Sequence, residues 1–248
     1  MPRSARQMSS SGIYHIILRG VNKQTIFADN EDNESFLRVL SECKMLSGFE
    51  VYGYCLMGNH VHLLLKQTEE NIGQLMKRIA SRYVKWFNWK YDRCGHLFQE
   101  RYKSEAVEDD RYFVALLRYI HQNPKRAGIC EAIGEYKWSS YNDYFHRKST
   151  IVDLDLALGI IGESYFESFM NEDKEESFME YSGPRKRLAD DKLAAEIESM
   201  CGLKAITIQN ESRERIIAIC REALKIEGVS TRQLSRVTGV SAHIIWHL

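Results

Sequence analysis

The stretch Gly58-Asn59-His60-Val61-His62-Leu63-Leu64-Leu65 decides how this chain is read. Gly58-Asn59 is a turn signal between two β-rich runs, Glu50–Met57 before it and His60–Lys66 after it, so the segment predicts a β-hairpin. A strand alternates its side chains, which puts His60 and His62 on one face and Val61 on the other. Two neutral imidazoles side by side on a strand can hold one divalent cation. Two histidines on the solvent face of a half-buried strand would show the same spacing.

Working outward, Ile13–Gly20 (IYHIILRG) is a further β-rich run, and a short strand is expected around Tyr102–Val107. Between the strands lie helical periods. Asp32 to Ser47 carries Phe36, Leu37, Val39, Leu40, Cys43 and Leu46, and Asn71 to Lys90 carries Ile72, Leu75, Ile79, Val84 and Phe87. A third helix, Asp109 to Asn123, starts on acids and is expected to close at Pro124. The order β-α-β-β-α-β-α predicts an α+β fold: a ferredoxin-like, mostly antiparallel four-stranded sheet with helices.

The 248 residues carry 34 basic and 34 acidic side chains. They divide unevenly: residues 1–149 are net +5 and residues 150–248 net −5. Residues 77–103 hold eight bases against two acids, interleaved with Tyr83, Trp86, Phe87, Trp89 and Tyr91. Such a stripe suits a phosphate backbone with bases to stack, and equally an amphipathic helix with a solvated basic face. The six cysteines show no CxxC spacing and read as reduced thiols of a cytoplasmic protein. No apolar run reaches the length of a membrane span, and Met1 to Ser11 has no secretory pattern.

After Tyr144 the chain changes character. The expected organisation is a domain over 1–148, an acidic linker or marginal helices over 149–191, with Ser-Gly-Pro at 182–184, and a small all-α domain over 192–248. Gly239 between two short helical patterns, with Ser230 and Ser241 as N-caps, has helix-turn-helix spacing, with Ser241–Leu248 as the recognition helix. A plain helical hairpin shares that pattern.

Chemistry beyond the histidines is offered by Arg118-Tyr119-Ile120-His121-Gln122-Asn123-Pro124. Tyr119 and Asn123, at i and i+4, share one helix face. A phenol there could attack a phosphodiester, and the Asn123 carboxamide oxygen could complete a metal site with His60 and His62. Equally, Tyr119 could be a packing residue and Asn123 a helix-end residue. His121, at i+2, should face away from Tyr119.

Five ordered blocks carry a resemblance. They are Gly12-Ile-Tyr-His-Ile-Ile-Leu-Arg-Gly-Val-Asn22, Tyr54-Cys-Leu-Met-Gly-Asn-His-Val-His-Leu-Leu-Leu65, Gly95-His-Leu-Phe-Gln-Glu-Arg-Tyr-Lys-Ser104, Tyr119-Ile-His-Gln-Asn-Pro-Lys-Arg-Ala-Gly128 and Trp138-Ser-Ser-Tyr141. Over residues 10–145 the chain resembles the single-tyrosine HUH transposases, most of all the REP-associated tyrosine transposases. The resemblance implies that His60 and His62 bind Mg²⁺ or Mn²⁺, that Tyr119 is the nucleophile, and that Asn123 is the polar residue beside it. It implies cleavage of hairpin-bearing single-stranded DNA through a 5′-phosphotyrosine. Gly58 departs from the family, many of whose members carry proline there.

The expected backbone contacts are Arg19, Lys77, Arg78, Arg82, Lys85, Arg101 and Lys103. Duplex DNA through the C-terminal helices and a homodimer are further expected partners; a membrane is not. Two other readings stand beside cleavage. One is a domesticated, non-cleaving DNA-binding regulatory protein. The other is an RNA-binding module that stacks bases on Tyr52 and Tyr54.

Overall fold

The computed structural model describes residues 8–174, 178–179, 190–226, 229 and 231–246. The chain divides into two compact units, Met1–Tyr181 and Ser182–Leu248.

In the first unit, β1 (Ile13–Arg19), β2 (Glu50–Met57), β3 (His60–Lys66) and β4 (Lys103–Val107) form one sheet in the order β2-β3-β1-β4. Every neighbouring pair is antiparallel. With α1 (Asn30–Ser47) after β1 and α2 (Ile72–Lys90) after β3, this is the expected ferredoxin-like arrangement. Asp29 starts α1 with a capping box, accepting the Asp32 N–H at 3.1 Å, and Gly48 ends it in the left-handed region at φ 64°. Asn71 caps α2 through the Gln74 N–H.

Both faces of the sheet are covered. Leu18 of β1 shares a cavity wall with Met76 and Ala80 of α2, which places α2 on the face that also carries Ile16 and Tyr14. The opposite face carries α3 (Asp110–Arg126), and its approach is set at Gly53. A Cβ at residue 53 would lie 2.6 Å from Leu117 Cδ1, so glycine here lets that side chain sit directly against the strand. The helix was expected to close at Pro124 but runs one half-turn further, to Arg126. Proline lacks only its own N–H, and so near the end the loss is a single bond. The Ala127 and Ile129 N–H groups still reach Asn123 and Pro124 carbonyls at 2.9 Å.

The segment 149–171 behaves as part of this unit. After α4 (Tyr141–Phe145), helices α5 (Asp155–Ile161) and α6 (Phe166–Asn171) bury Ala157, Leu158, Phe166 and Met170 in the first core. Asp153 ties the segment to the sheet edge, accepting from Lys44 Nζ at 2.6 Å and from Val51 N–H at 2.8 Å. The acidic run that begins at Glu163 is why a linker or marginal helices were expected here, and short helices are what forms. Ser182–Pro184 lie outside the described residues.

The second unit contains α7 (Asp190–Cys201), α8 (Arg213–Ala223), α9 (Thr231–Thr238) and α10 (Ala242–Trp246) around its own core of Leu193, Ile197, Ile208, Ile216, Ile219, Leu234 and Ile245. Gly239, at φ 73°, turns the chain between α9 and α10, and a Cβ there would meet the Gln209 side chain. Ser230 and Leu248 lie outside the described residues.

The base-stacking platform of the RNA reading is absent. Tyr52 is 1% exposed, with its ring edge-on to Phe113 of α3, and Tyr54 is 6% exposed. Both rings serve the core. Among the described residues no helix is long and apolar enough to cross a membrane.

Candidate active site

The face of the sheet under α3 carries the histidines. Pairing of Arg19 with His60, Ile17 with His62 and Ile17 with Lys103 puts Arg19, Lys103 and both imidazoles on one side. The two histidine rings are 5.1 Å apart, centroid to centroid.

Each imidazole has its Nδ1 engaged. His60 Nδ1 lies 2.7 Å from Asn59 Oδ1. Asn59 donates its own Nδ2 to the Lys23 carbonyl at 3.4 Å, so its Oδ1 is the acceptor and His60 Nδ1 carries the hydrogen. His62 is 2% exposed, and its Nδ1 lies 3.0 Å from Nε2 of His15, a residue with no exposure at all. The His15 and His62 rings are nearly parallel, at 17°. Burial disfavours the charged ring, with the Arg19 guanidinium adding to it at His60, whose pKa falls to about 4. Burial first, then the neighbouring His15 and His60, holds His62 well below the ordinary value. Both rings are neutral at pH 7, the form that ligates metal.

Tyr119 projects from α3 onto this face. Its ring centroid lies 5.8 Å from that of His62 and 6.4 Å from that of His15, edge-on to each. The tyrosine is 4% exposed, with Phe178 at 4.8 Å and the Arg126 guanidinium 5.6 Å from its ring centroid. Asn123, one turn on, donates Nδ2 to the Tyr119 carbonyl at 3.0 Å, which leaves its carboxamide oxygen as an acceptor. His121 faces away, as its spacing predicts. It is buried, hydrogen-bonded through Nε2 to Ser140 Oγ at 2.8 Å, and Ser140 in turn holds the Tyr54 N–H at the edge of β2.

The donor set suits a hard-to-borderline divalent cation. Among the described residues no group of three or more His, Cys, Asp or Glu side chains is placed to hold a metal. The two neutral imidazoles, their rings 5.1 Å apart, are the metal-competent donors that the sheet brings together.

The cations fall into three places. Lys77, Lys85 and Arg101 line a cavity of about 840 Å³ between α2 and residues 95–102. Arg78 pairs with Glu70 at 2.7 Å and Arg82 with Glu42 at 3.3 Å, which turns both toward α1 and away from that cavity. Arg19 and Lys103 lie with the histidines.

Missed from the sequence are His15 and Glu105. His15 stood inside the first motif block, but only the pairing of β1 between β3 and β4 brings it against His62 and Glu105.

A ferredoxin-like sheet with paired histidines facing a helix-borne tyrosine defines the class of nucleic-acid strand-processing proteins that the motifs resemble. Residues 8–123 match the family described as IS200-like transposases. A protein of Haemophilus influenzae named as a REP-associated tyrosine transposase is 24% identical over 155 residues, spanning 57% of this chain and 86% of its own. The fold is similar to the solved structure of a REP-associated tyrosine transposase bound to a REP hairpin, with a TM-score of 0.51 and 16% identity over 74% of this chain and 96% of that one. Residues 8–123 are thus similar to the IS200-like transposases in sequence, and the first unit is similar to a REP-associated tyrosine transposase in fold.

Proposed function

We propose that this protein cuts and rejoins single-stranded DNA beside a hairpin, with Tyr119 as nucleophile. The observation that carries this reading is the 5.8 Å approach of the Tyr119 and His62 rings within one chain. The phenolic oxygen forms a bond to the scissile phosphorus, the bond from phosphorus to the 3′-oxygen breaks, and that oxygen leaves as a free 3′-hydroxyl. The phosphotyrosine keeps the phosphodiester energy, so a second 3′-hydroxyl can reverse the step without a nucleotide cofactor. His60, His62 and the Asn123 carboxamide oxygen would hold Mg²⁺ or Mn²⁺. The cation, when bound, supplies Lewis-acid stabilisation of charge on the phosphate.

Lys77, Lys85 and Arg101, which line one cavity, and Arg19 and Lys103, which lie with the histidines, are proposed backbone contacts, and Arg78 and Arg82, turned from that cavity, rank below the cavity-lining three. A hairpin partner is supported by the related structure, which was solved with a REP hairpin. Duplex DNA is the proposed partner of the C-terminal helices, and a second copy of the chain would supply the second covalent end. The six free thiols suit a reducing, cytoplasmic setting. A non-cleaving DNA-binding protein is the second reading, favoured by the cover of Phe178 and Arg126 over Tyr119.

The test is a denaturing gel of the protein with end-labelled hairpin DNA. A covalent adduct is expected with Mn²⁺ or Mg²⁺ and none with EDTA. Tyr119→Phe should lose the adduct and retain binding. An adduct of wild-type yield from that variant reassigns the nucleophile, and tight binding with no nicking of any hairpin substrate leaves the second reading.

A further inference from the structure

The mechanism above uses only two of the three imidazoles that meet under α3. His15 touches the site but has no part in it so far, and behind it lies the half-buried Glu105 carboxylate, whose Oε2 is covered. Register explains the row. Glu105 of β4 pairs with His15 of β1, and His62 of β3 pairs with Ile17, two residues along on the same face. The three side chains therefore run in line across the sheet.

Hydrogen counting then limits what the row can be. For two neutral rings, the form in which imidazole ligates metal, the 3.0 Å bond between His15 Nε2 and His62 Nδ1 holds one hydrogen. If His62 donates, its Nε2 keeps a lone pair, and the hydrogen of His15 sits on Nδ1. If His15 donates, the hydrogen of His62 sits on Nε2, where it blocks a metal, and His15 Nδ1 presents a lone pair.

What Nδ1 of His15 faces decides between them. Glu105 Oε2 lies 3.8 Å away, and neither atom has a hydrogen-bond partner among the described residues. The hydroxyl of Tyr112 and the backbone N–H of Met179 steady the same carboxylate. A carboxylate oxygen attracts an N–H and repels a lone pair, so the first arrangement is favoured and the second is penalised. His60 reaches the same state by a shorter route, through Asn59.

We propose that Glu105 and His15 are positioning residues that fix His62 as the Nδ1–H tautomer, leaving its Nε2 free to ligate a divalent cation. The inference rests on the metal role given to His62 above. Outer partners of this kind typically alter metal affinity by about 10- to 100-fold.

The experiment has two readouts, neither of which needs DNA cleavage. Long-range ¹H–¹⁵N spectra of the metal-free, ¹⁵N-histidine protein report the tautomer directly. The Nδ1–H form is expected for His62, and an Nε2–H form overturns the proposal. Calorimetric titration with Mn²⁺ is the second readout. His15→Leu should weaken binding about 10- to 100-fold. His15→Gln should recover most of it, because its carboxamide oxygen accepts from His62 and its NH₂ faces Glu105. Equal losses in the two variants, with melting temperatures unchanged, reduce His15 to packing and overturn the proposal. Wild-type protein that binds no Mn²⁺ removes the cleavage reading instead, and the metal-free spectra still decide the tautomer.

Discussion

A single residue can be read through what it excludes. Gly53 admits α3 to the sheet, since any side chain there runs into Leu117. Gly53→Ala should therefore destabilise the first unit by about 1–3 kcal/mol through overpacking, measured as a lowered urea midpoint with unchanged slope. A neutral outcome would mean that α3 can move outward freely. His60→Ala removes one of the two imidazoles while leaving the buried His62 pair in place. It should abolish the metal-dependent adduct and weaken Mn²⁺ binding, with little change in melting temperature because the residue is half-buried. Retention of full Mn²⁺ affinity would take His60 out of the metal site.

At the level of elements, caps and charges set where helices begin. Asp29 caps α1 and accepts from Lys90 Nζ at 2.7 Å. The Lys90 ammonium, then the Asp32 N–H, holds the Asp29 carboxyl below its ordinary 3.8. A carboxyl whose folded value is depressed adds stability above its unfolded value, and that stability is lost as pH falls through the folded one. Wild type should thus melt above Asp29→Asn at pH 7, and the gap should close as pH falls below 3.8, in thermal melts across that range. A gap of constant size would mean the Lys90 contact contributes nothing. The element expectations held where the period was strong. Phe36, Leu40, Leu75 and Ile79 marked α1 and α2 because each helix buries one continuous stripe. Over 149–191 the expectation of a linker or marginal helices left open what α5 and α6 do, because their buried residues pack on α3, an earlier element that no local pattern names.

For the whole molecule, the division at Tyr181 separates the chemistry from the second helical core. His60, His62, Tyr119 and Asn123 all lie in the first unit. A chain ending at residue 181 should therefore fold and still form the phosphotyrosine adduct with hairpin DNA. If the α9–α10 pair reads duplex DNA, the same truncation should lower affinity for duplexes and leave single-strand binding nearly unchanged. Loss of the adduct in a folded truncation would assign the second unit a part in catalysis.

Backbone alternation and helical periodicity are local properties, written into consecutive dihedral angles. From them the chain's letters alone determined that His60 and His62 share a face, that Tyr119 and Asn123 share another, and that four strands and three helices follow in ferredoxin-like order. Which face meets which is a long-range matter, set by strand register and by the close approach that Gly53 permits. Tertiary structure alone brought Tyr119 over His62 within one chain, turned Arg78 and Arg82 to acidic partners, and placed His15 and Glu105 behind His62. The contacts of His15 with His62, His62 with Tyr119 and His15 with Glu105 join strands and a helix far apart in sequence, and no local pattern records them.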